Sequence, residues 1–558
     1  MRSPLAVALS SLLVACGPIP SLPDGAVDED GGRVEDAGVD EDGGSLGGGA
    51  GGGSAVGGGA GAGSATGGGA ATGGGTSTGG GTGGGDAGTP LTLVTVGHER
   101  ELRGVWIASV ENLDWPSSRT LSADAGRAEL TQLVDSMADA GMNALFFQIR
   151  PESDALYASN LEPWSRYLSN QQGRNPGWDP LEEIISLAHT RGLEVHAWMN
   201  PYRARTSAPV QYAANHVAVT LAASAVSYNG SVVMNPGVDA VREHVVDVVR
   251  DVLDHYDVDG VHFDDYFYPY PDSSGTPFPD TANYNAYRSD AGVRLAPDGG
   301  LMTLADWRRD NVNLLVREVM EVVEAEHPHV RFGISPFGIW KSGQPVPGLS
   351  AYDAISCDAI AWLNNEWVDY VTPQLYWRES SAQQYSVLTA WWAARLNGRH
   401  LYPGHAIHRL LPSEQNWPVS EIEFQVENTR TLRSQNALGD VHFRAEFIDV
   451  NTKGVKTLLS DTLYAKPAVP PPLPRANAVV APAVPFVTVS GSSLSVTSPQ
   501  PMSVRSFLLY RQLSPGQWEL RAVKGGAQVD FEVTSGTWAV SALGRGGGES
   551  QGVQAIVP

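Results

Sequence analysis

The stretch Val258-Asp-Gly-Val-His-Phe-Asp-Asp-Tyr266 opens as an apolar run and closes on two neighbouring carboxylates. Its core, Gly260–Tyr266, predicts a buried strand, and period-two alternation places His262, Asp264 and Tyr266 on one side of it. Seven similar runs lie around it: 102–110, 143–150, 194–200, 331–337, 370–377, 400–408 and 441–449. Segments with helical spacing follow each strand, near 124–140, 179–191, 238–256, 303–326, 356–367, 381–397, 419–435 and 454–464. Strands alternating with helices argue for parallel βαβ units. Eight repeats predict an α/β fold of the TIM-barrel type, a (β/α)₈ barrel with enlarged loops. An open doubly wound sheet is the alternative, but no Gly-x-Gly-x-x-Gly follows the first strand.

Polar residues gather where these strands end, the place where such barrels carry their chemistry. Strand one is followed by Glu111, Asn112 and Asp114, and strand two carries Gln148 and Arg150. Strand three offers His196 and Asn200, with Arg203 just beyond; strand four offers His262, Asp264, Asp265 and Tyr266. Ser335 belongs to strand five, Gln374, Tyr376 and Trp377 to strand six, His405 and His408 to strand seven, and Arg444 and Glu446 to strand eight. A purely structural barrel would place Val, Ile and Leu there. Trp106, Trp115, Trp164, Trp198 and Trp340 fall near the same ends. Flat aromatic faces edged by carboxylates, amides and guanidinium suit sugar rings.

Several long motifs resemble the glycosyl-hydrolase-like family ten, a group of bacterial envelope proteins. They are Leu102–Pro116 (LRGVWIASVENLDWP), Phe147–Pro151 (FQIRP), His196–Arg203 (HAWMNPYR) and Met234–Gly237 (MNPG). Val258–Tyr270 (VDGVHFDDYFYPY), Asp306–Asn313 (DWRRDNVN), Phe332–Trp340 (FGISPFGIW) and Asp369–Trp377 (DYVTPQLYW) complete the set, so the likeness spans about residues 100–465. The resemblance implies a glycoside hydrolase fold and, for some members, cleavage of peptidoglycan glycan strands stripped of their peptides. Glycosidic hydrolysis usually takes two carboxyl groups, and the expected catalytic pair is Asp264 and Asp265. Strand four is also similar to the signature of family-18 chitinases, which place Glu where Tyr266 stands. Lacking that Glu, the chain needs Asp265 or a carboxylate from another strand as acid, with Glu111, Asp114 and Glu446 in reserve. Substrate contacts are expected from Glu111, Asp114, Gln148, Arg150, His196, Asn200, Arg203, His262, Tyr266, Ser335, Gln374, Tyr376 and Trp377.

Composition sets the surroundings of this barrel. The 558 residues carry a net charge of −24, which argues against a nucleic-acid partner. Two cysteines are too few for a disulfide framework, and no histidine pair shows tight ligand spacing, so neither metal nor cofactor is expected. Cys357 reads as a buried small residue in a helix. Residues 1–15 read as a signal peptide, ending Leu13-Val14-Ala15-Cys16 in the manner of a bacterial lipobox. Lipid on Cys16 would hold the chain to a membrane in the cell envelope, and Gly17 points to the outer rather than the inner one. Residues 16–97 then form a Gly/Ala/Ser/Thr-rich tether that cannot bury a core and is expected to be disordered. The barrel is assigned to 98–466, a proline-rich linker to 467–479, and a small all-β, fibronectin type III-like sandwich to 480–558. The function reading is a membrane-anchored glycoside hydrolase acting on peptide-free peptidoglycan or a related amino-sugar glycan. A non-catalytic glycan-binding lipoprotein and a hydrolase of an extracellular polysaccharide are the alternatives.

Overall fold

The computed structural model describes residues 91–206, 208–272 and 274–558; the signal peptide, Cys16 and most of the tether lie outside them. Eight parallel strands form the barrel: β1 (Leu102–Ile107), β2 (Ala144–Arg150), β3 (Glu194–Met199), β4 (Gly260–Phe263), β5 (Arg331–Ile334), β6 (Tyr370–Val371), β7 (His400–Leu401 and Gly404–His405) and β8 (Gly439–His442). The sheet closes through β7. Its first half pairs with β6, its second half with β8, and β8 pairs with β1.

The helical shell consists of α1 (Ala123–Asp139), α2 (Pro180–Thr190), α3 (Asp239–His255), α4 (Leu304–Glu326), α5 (Ala359–Asn364), α6 (Tyr385–Ala393) and α7 (Val419–Thr431). Their starts follow local chemistry. Ser122 caps α1 by accepting the Ala125 N–H, and Asp179 caps α2 with Pro180 in its first turn. Thr303 and Asp306 exchange bonds at the start of α4. On α3, Val241, Val245, Val248, Val249 and Val252 are buried, the stripe expected of a helix lying on a sheet. Among the described residues no helix is long and apolar enough to cross a membrane.

Most strands are shorter than their sequence suggests, β4, β6 and β8 most consequentially. β4 stops at Phe263 and β6 at Val371, with irregular chain beyond each. The predicted strand 441–449 becomes β8 followed by a short helix, Ala445–Asp449. The buried carboxylate of Asp114 causes that turn: it pairs with Arg444 and accepts the Glu446 N–H.

The barrel interior explains two residues expected to touch substrate. His196 and His262 are fully buried in a column of rings along the axis. Trp106 Nε1 donates to His262 Nε2 (3.2 Å), and the Tyr370 hydroxyl bridges Nδ1 of His262 (3.2 Å) and Nδ1 of His196 (2.9 Å). His196 Nε2 reaches Glu194 (3.3 Å), which Arg331 also holds. An indole can only donate, so His262 carries its proton on Nδ1 and gives it to Tyr370; Tyr370 then donates to His196, and His196 to Glu194. Burial pushes the pKa of both imidazoles down, so both are neutral and the column has a single direction. Glycines make room for it. A Cβ on Gly260 would lie 2.6 Å from the His196 ring, and one on Gly333 2.3 Å from the Tyr370 ring.

The C-terminal region forms two antiparallel sheets. One orders β9 (Phe486–Ser490), β10 (Ser493–Thr497) and β13 (Gln528–Glu532). The other orders β12 (Gln517–Gly525), β11 (Val504–Ser514), β14 (Gly536–Gly544) and β15 (Gly552–Val557), and Leu93–Val94 adds a short edge to β15. This three-plus-four arrangement is that of the fibronectin type III-like sandwich expected for residues 480–558.

The sandwich and the proline-rich stretch before it cover the N-terminal ends of the barrel strands. Val469 O accepts the Glu101 N–H, Ala468 O accepts from Asn143, and Pro471 O accepts from Arg331. Arg475 grips buried Asp369 with two bonds of 2.8 and 3.0 Å and also donates to Val330 O. From the sandwich, Arg505 reaches Asp259 and His189. A Cβ on Gly525 would lie 1.8 Å from the His189 carbonyl, so the two bodies meet backbone to backbone. Residues 467–479 are therefore a seated strap. Removing one partner from a buried ion pair costs about 3–5 kcal/mol. Arg475→Ala should lower barrel stability by about that much, read as a shifted midpoint in urea unfolding followed by tryptophan fluorescence.

Candidate active site

The open end of the barrel is built around the residues that follow β4. Asp264 and Asp265 are both buried, at 4% and 1% exposure. Neighbours on a regular strand would face opposite ways, but β4 ends at Phe263, so both carboxyls can turn over the barrel mouth. Asp264 Oδ2 accepts from Trp198 Nε1 and from Asn200 Nδ2, each at 3.2 Å. Its Oδ1 is buried with no hydrogen-bond partner among the described residues. Both oxygens of Asp265 are taken: Gln374 Nε2 donates to Oδ1 at 3.0 Å, and the Tyr270 hydroxyl donates to Oδ2.

Burial, opposed by the nearby Arg203 and reinforced by the charge of Asp265, pushes the Asp264 pKa up to about 7. Burial, partly offset by Tyr270 and Gln374, raises Asp265 to about 6. The pair is thus poised to hold one proton near neutrality, the state a general acid requires. Asp264 Oδ1, the one oxygen of the pair that accepts no hydrogen bond among the described residues, is the atom open to carry that proton.

Other predicted residues gather at this mouth. Asn200 also accepts the Arg203 N–H (2.8 Å), which fixes the turn after β3. Arg203 lies over the Tyr266 ring at 5.4 Å. Gln374 ties its own loop to the Ser335 carbonyl (3.1 Å). Trp377 meets Phe337 edge-on, and Tyr376 packs against His408 and Phe443.

A second set of predicted residues is spent on holding loops. Gln148 Oε1 accepts the N–H groups of Ser109 and Val110, shaping the loop after β1. Arg150 is enclosed and forks onto buried Glu162. Asp114 braces the ends of β1 and β8 against each other. Glu111 pairs with Arg119 and accepts from Tyr167 and Thr206. Glu446 is about half exposed and paired with Arg444, outside the carboxylate pair's contacts. Cys357 is buried as expected but precedes α5 rather than lying within it.

Tyr270 is the site residue that period-two reasoning missed. It lies past the strand, and only the bends in the irregular chain after Phe263 bring its hydroxyl to Asp265. The acid–histidine group close enough to ligate a metal among the described residues, Asp254, Glu326 and His327, is largely exposed. It lies where α3 and α4 end, on the face opposite the carboxylate pair.

Raised carboxyl pKa values carry a stability consequence. The folded state binds protons that the unfolded chain releases above about 3.8, so this contribution weakens as pH rises from about 4 through about 7. Asp264→Asn should therefore melt higher than the parent at pH 8, by an amount on the order of a few kcal/mol. The gap should close below pH 4; a constant difference across thermal melts from pH 3 to 9 would show that Asp264 is not protonated by its surroundings.

Comparison with known proteins places this geometry. The family model described as glycosyl hydrolase-like 10 matches residues 101–418, which include the catalytic-pair candidates. The chain is similar to Glycosyl hydrolase YngK of Bacillus subtilis (strain 168), 39% identical over 390 residues, covering 67% of this chain and 74% of the relative. It is also similar to Glycosyl hydrolase DigH of Escherichia coli (strain K12), 33% identical over 396 residues, covering 65% and 87%. Among solved structures, the glycoside hydrolase domain of PgaB (BpsB) from Bordetella bronchiseptica aligns at 15% identity and a TM-score of 0.43, covering 65% of this chain and 98% of that one. With motifs and family model in register over most of the barrel, the chain belongs to the glycosyl hydrolase-like 10 family.

Proposed function

We propose that this chain is a glycoside hydrolase of the bacterial envelope, held to a membrane by lipid on Cys16. Its substrate would be peptide-free peptidoglycan glycan strands or a related amino-sugar polysaccharide. The carrying observation is the buried Asp264–Asp265 pair, raised toward neutrality at the mouth of a barrel whose rim holds the partly exposed rings of Tyr266 and Trp377. The two relatives, named as glycosyl hydrolases, support the same reaction class.

In this reading a sugar ring rests on the aromatic rim with its glycosidic oxygen over the pair. The protonated carboxyl gives its proton to the leaving oxygen as the bond to the anomeric carbon breaks. The ionised partner, held by Gln374 and Tyr270, faces the positive charge that develops on the ring. Water completes hydrolysis at the anomeric carbon, and its proton restores the pair. Arg203 stabilises the fully ionised pair left after proton delivery.

The test is release of new reducing ends from peptide-free peptidoglycan glycans by purified protein. Asp264→Asn and Asp265→Asn should each lower kcat by roughly 10²–10⁴-fold. Activity should be greatest between about pH 6 and 7, falling above as the acid deprotonates and below as its partner is protonated. Binding without any release of reducing ends would leave the chain a glycan-binding protein and end the hydrolase reading. The anchor has its own test: Cys16→Ser should move the protein out of the membrane fraction after cell lysis, and an unchanged distribution would rule out lipid at that residue.

A further inference from the structure

Beside the catalytic mouth lies a cavity of about 410 Å³, lined by Arg119, Arg166, Asn170, Gln171, Gln172 and residues 209–213. It belongs to no part of the mechanism above. Its lining holds two guanidinium groups, four side-chain amides and Tyr212, and no carboxylate. That composition stands out on a segment, residues 98–475, whose net charge is −17.

The two arginines are set in place before any ligand arrives. Both stack on the buried ring of Tyr167, at 4.7 Å for Arg119 and 5.1 Å for Arg166. Arg166 forks onto buried Glu152, and its third nitrogen donates to Pro209 O. Arg119 donates through Nε to Asn112 and through Nη2 to Glu111, which leaves Nη1 outside these bonds. Tyr212 is steadied by stacking on His216 at 4.5 Å. A planar guanidinium held this way is suited to carboxylate recognition and loses little freedom on binding.

The cavity is joined to the catalytic centre by a short strand. Arg203, beside Asp264, starts the strand Arg203–Arg205, and Thr206 after it donates to the same Glu111 that holds Arg119. At about 3.3 Å per residue that is roughly 10 Å, a distance that a glycan chain covers within a few rings.

We propose that this cavity is a subsite for a sugar bearing a free carboxylate, with Arg119 as its principal contact. The inference rests on the glycan-hydrolase reading and sharpens it. Peptidoglycan stripped of its peptides carries a free carboxylate on every second sugar, whereas a peptide turns that group into a neutral, branched amide. A carboxylate subsite would favour the stripped strand, so an amide-cleaving reaction must supply the substrate.

The test compares peptide-free glycan strands with the same strands after their carboxylates are converted to methyl amides. Binding to Asp264→Asn by calorimetry reads the subsite apart from cleavage. The intact glycan should bind about tenfold more tightly than the neutralised one. Arg119→Gln should bring the two affinities together, and Arg119→Lys, which keeps the charge without the planar guanidinium stacked on Tyr167, should restore part of the difference. Equal affinity for the two glycans, or an Arg119→Gln effect of the same size on both, would overturn the subsite even if both are cleaved. If the parent protein cleaves neither glycan but the preference and its loss in Arg119→Gln are seen, the hydrolase reading fails and the subsite stands.

Discussion

A closed barrel must be filled, and filling this one with polar rings imposes a condition on every strand. The indole of Trp106, the imidazoles of His262 and His196 and the phenol of Tyr370 lie where water cannot reach them. Each ring nitrogen or hydroxyl left without a partner would cost about 1–3 kcal/mol. The condition is met by donors that all point toward the Glu194 carboxylate at the N-terminal end, which Arg331 also holds. Glycine at 260 and 333 follows from the same demand, because any side chain there would occupy the space of a ring. The column leaves the other end of the barrel to hold the buried acids.

The two ends of the barrel are therefore built for different purposes. At the N-terminal end, charge is paired and covered: Arg475 on Asp369, Arg505 on Asp259, and the strap between barrel and sandwich donating and accepting throughout. At the C-terminal end, two carboxyls are kept near each other with too few partners to hold both ionised at neutral pH. Covering the first end gives the strand ends a rigid base, and that rigidity lets the second end keep a costly arrangement. The sandwich is in this sense part of the barrel's foundation. The strand at Leu93–Val94 joins its edge.

Much of the site was legible from residue order because strand ends are local. The carboxylates at 264 and 265, Asn200 and Arg203 after β3, and Gln374 near β6 were all expected at the mouth, and the structure brings them together. Residues whose meaning depends on partners elsewhere in the chain read differently. His196 looked like a sugar ligand and is a core ring, since Tyr370 lies 174 positions away. Asp114 and Arg150 looked like binding groups and are braces, because Arg444 and Glu162 neutralise them. The clue that was present, glycine inside strands, marks a close neighbour without saying which ring supplies it.

By itself the sequence determined the eight-fold alternation, helix starts near 124, 179 and 303, and the placing of two carboxylates at the end of one strand. These depend on periodicity, capping and turn chemistry, all settled within a few residues. Only the tertiary structure decided that β4 breaks at Phe263, that Tyr270 folds back onto Asp265, and that burial lifts both acids toward neutrality. It also decided that Arg119 and Arg166 meet across one tyrosine ring beside a cavity. Those outcomes depend on desolvation and on partners far apart in the chain, which come together only once the barrel has closed.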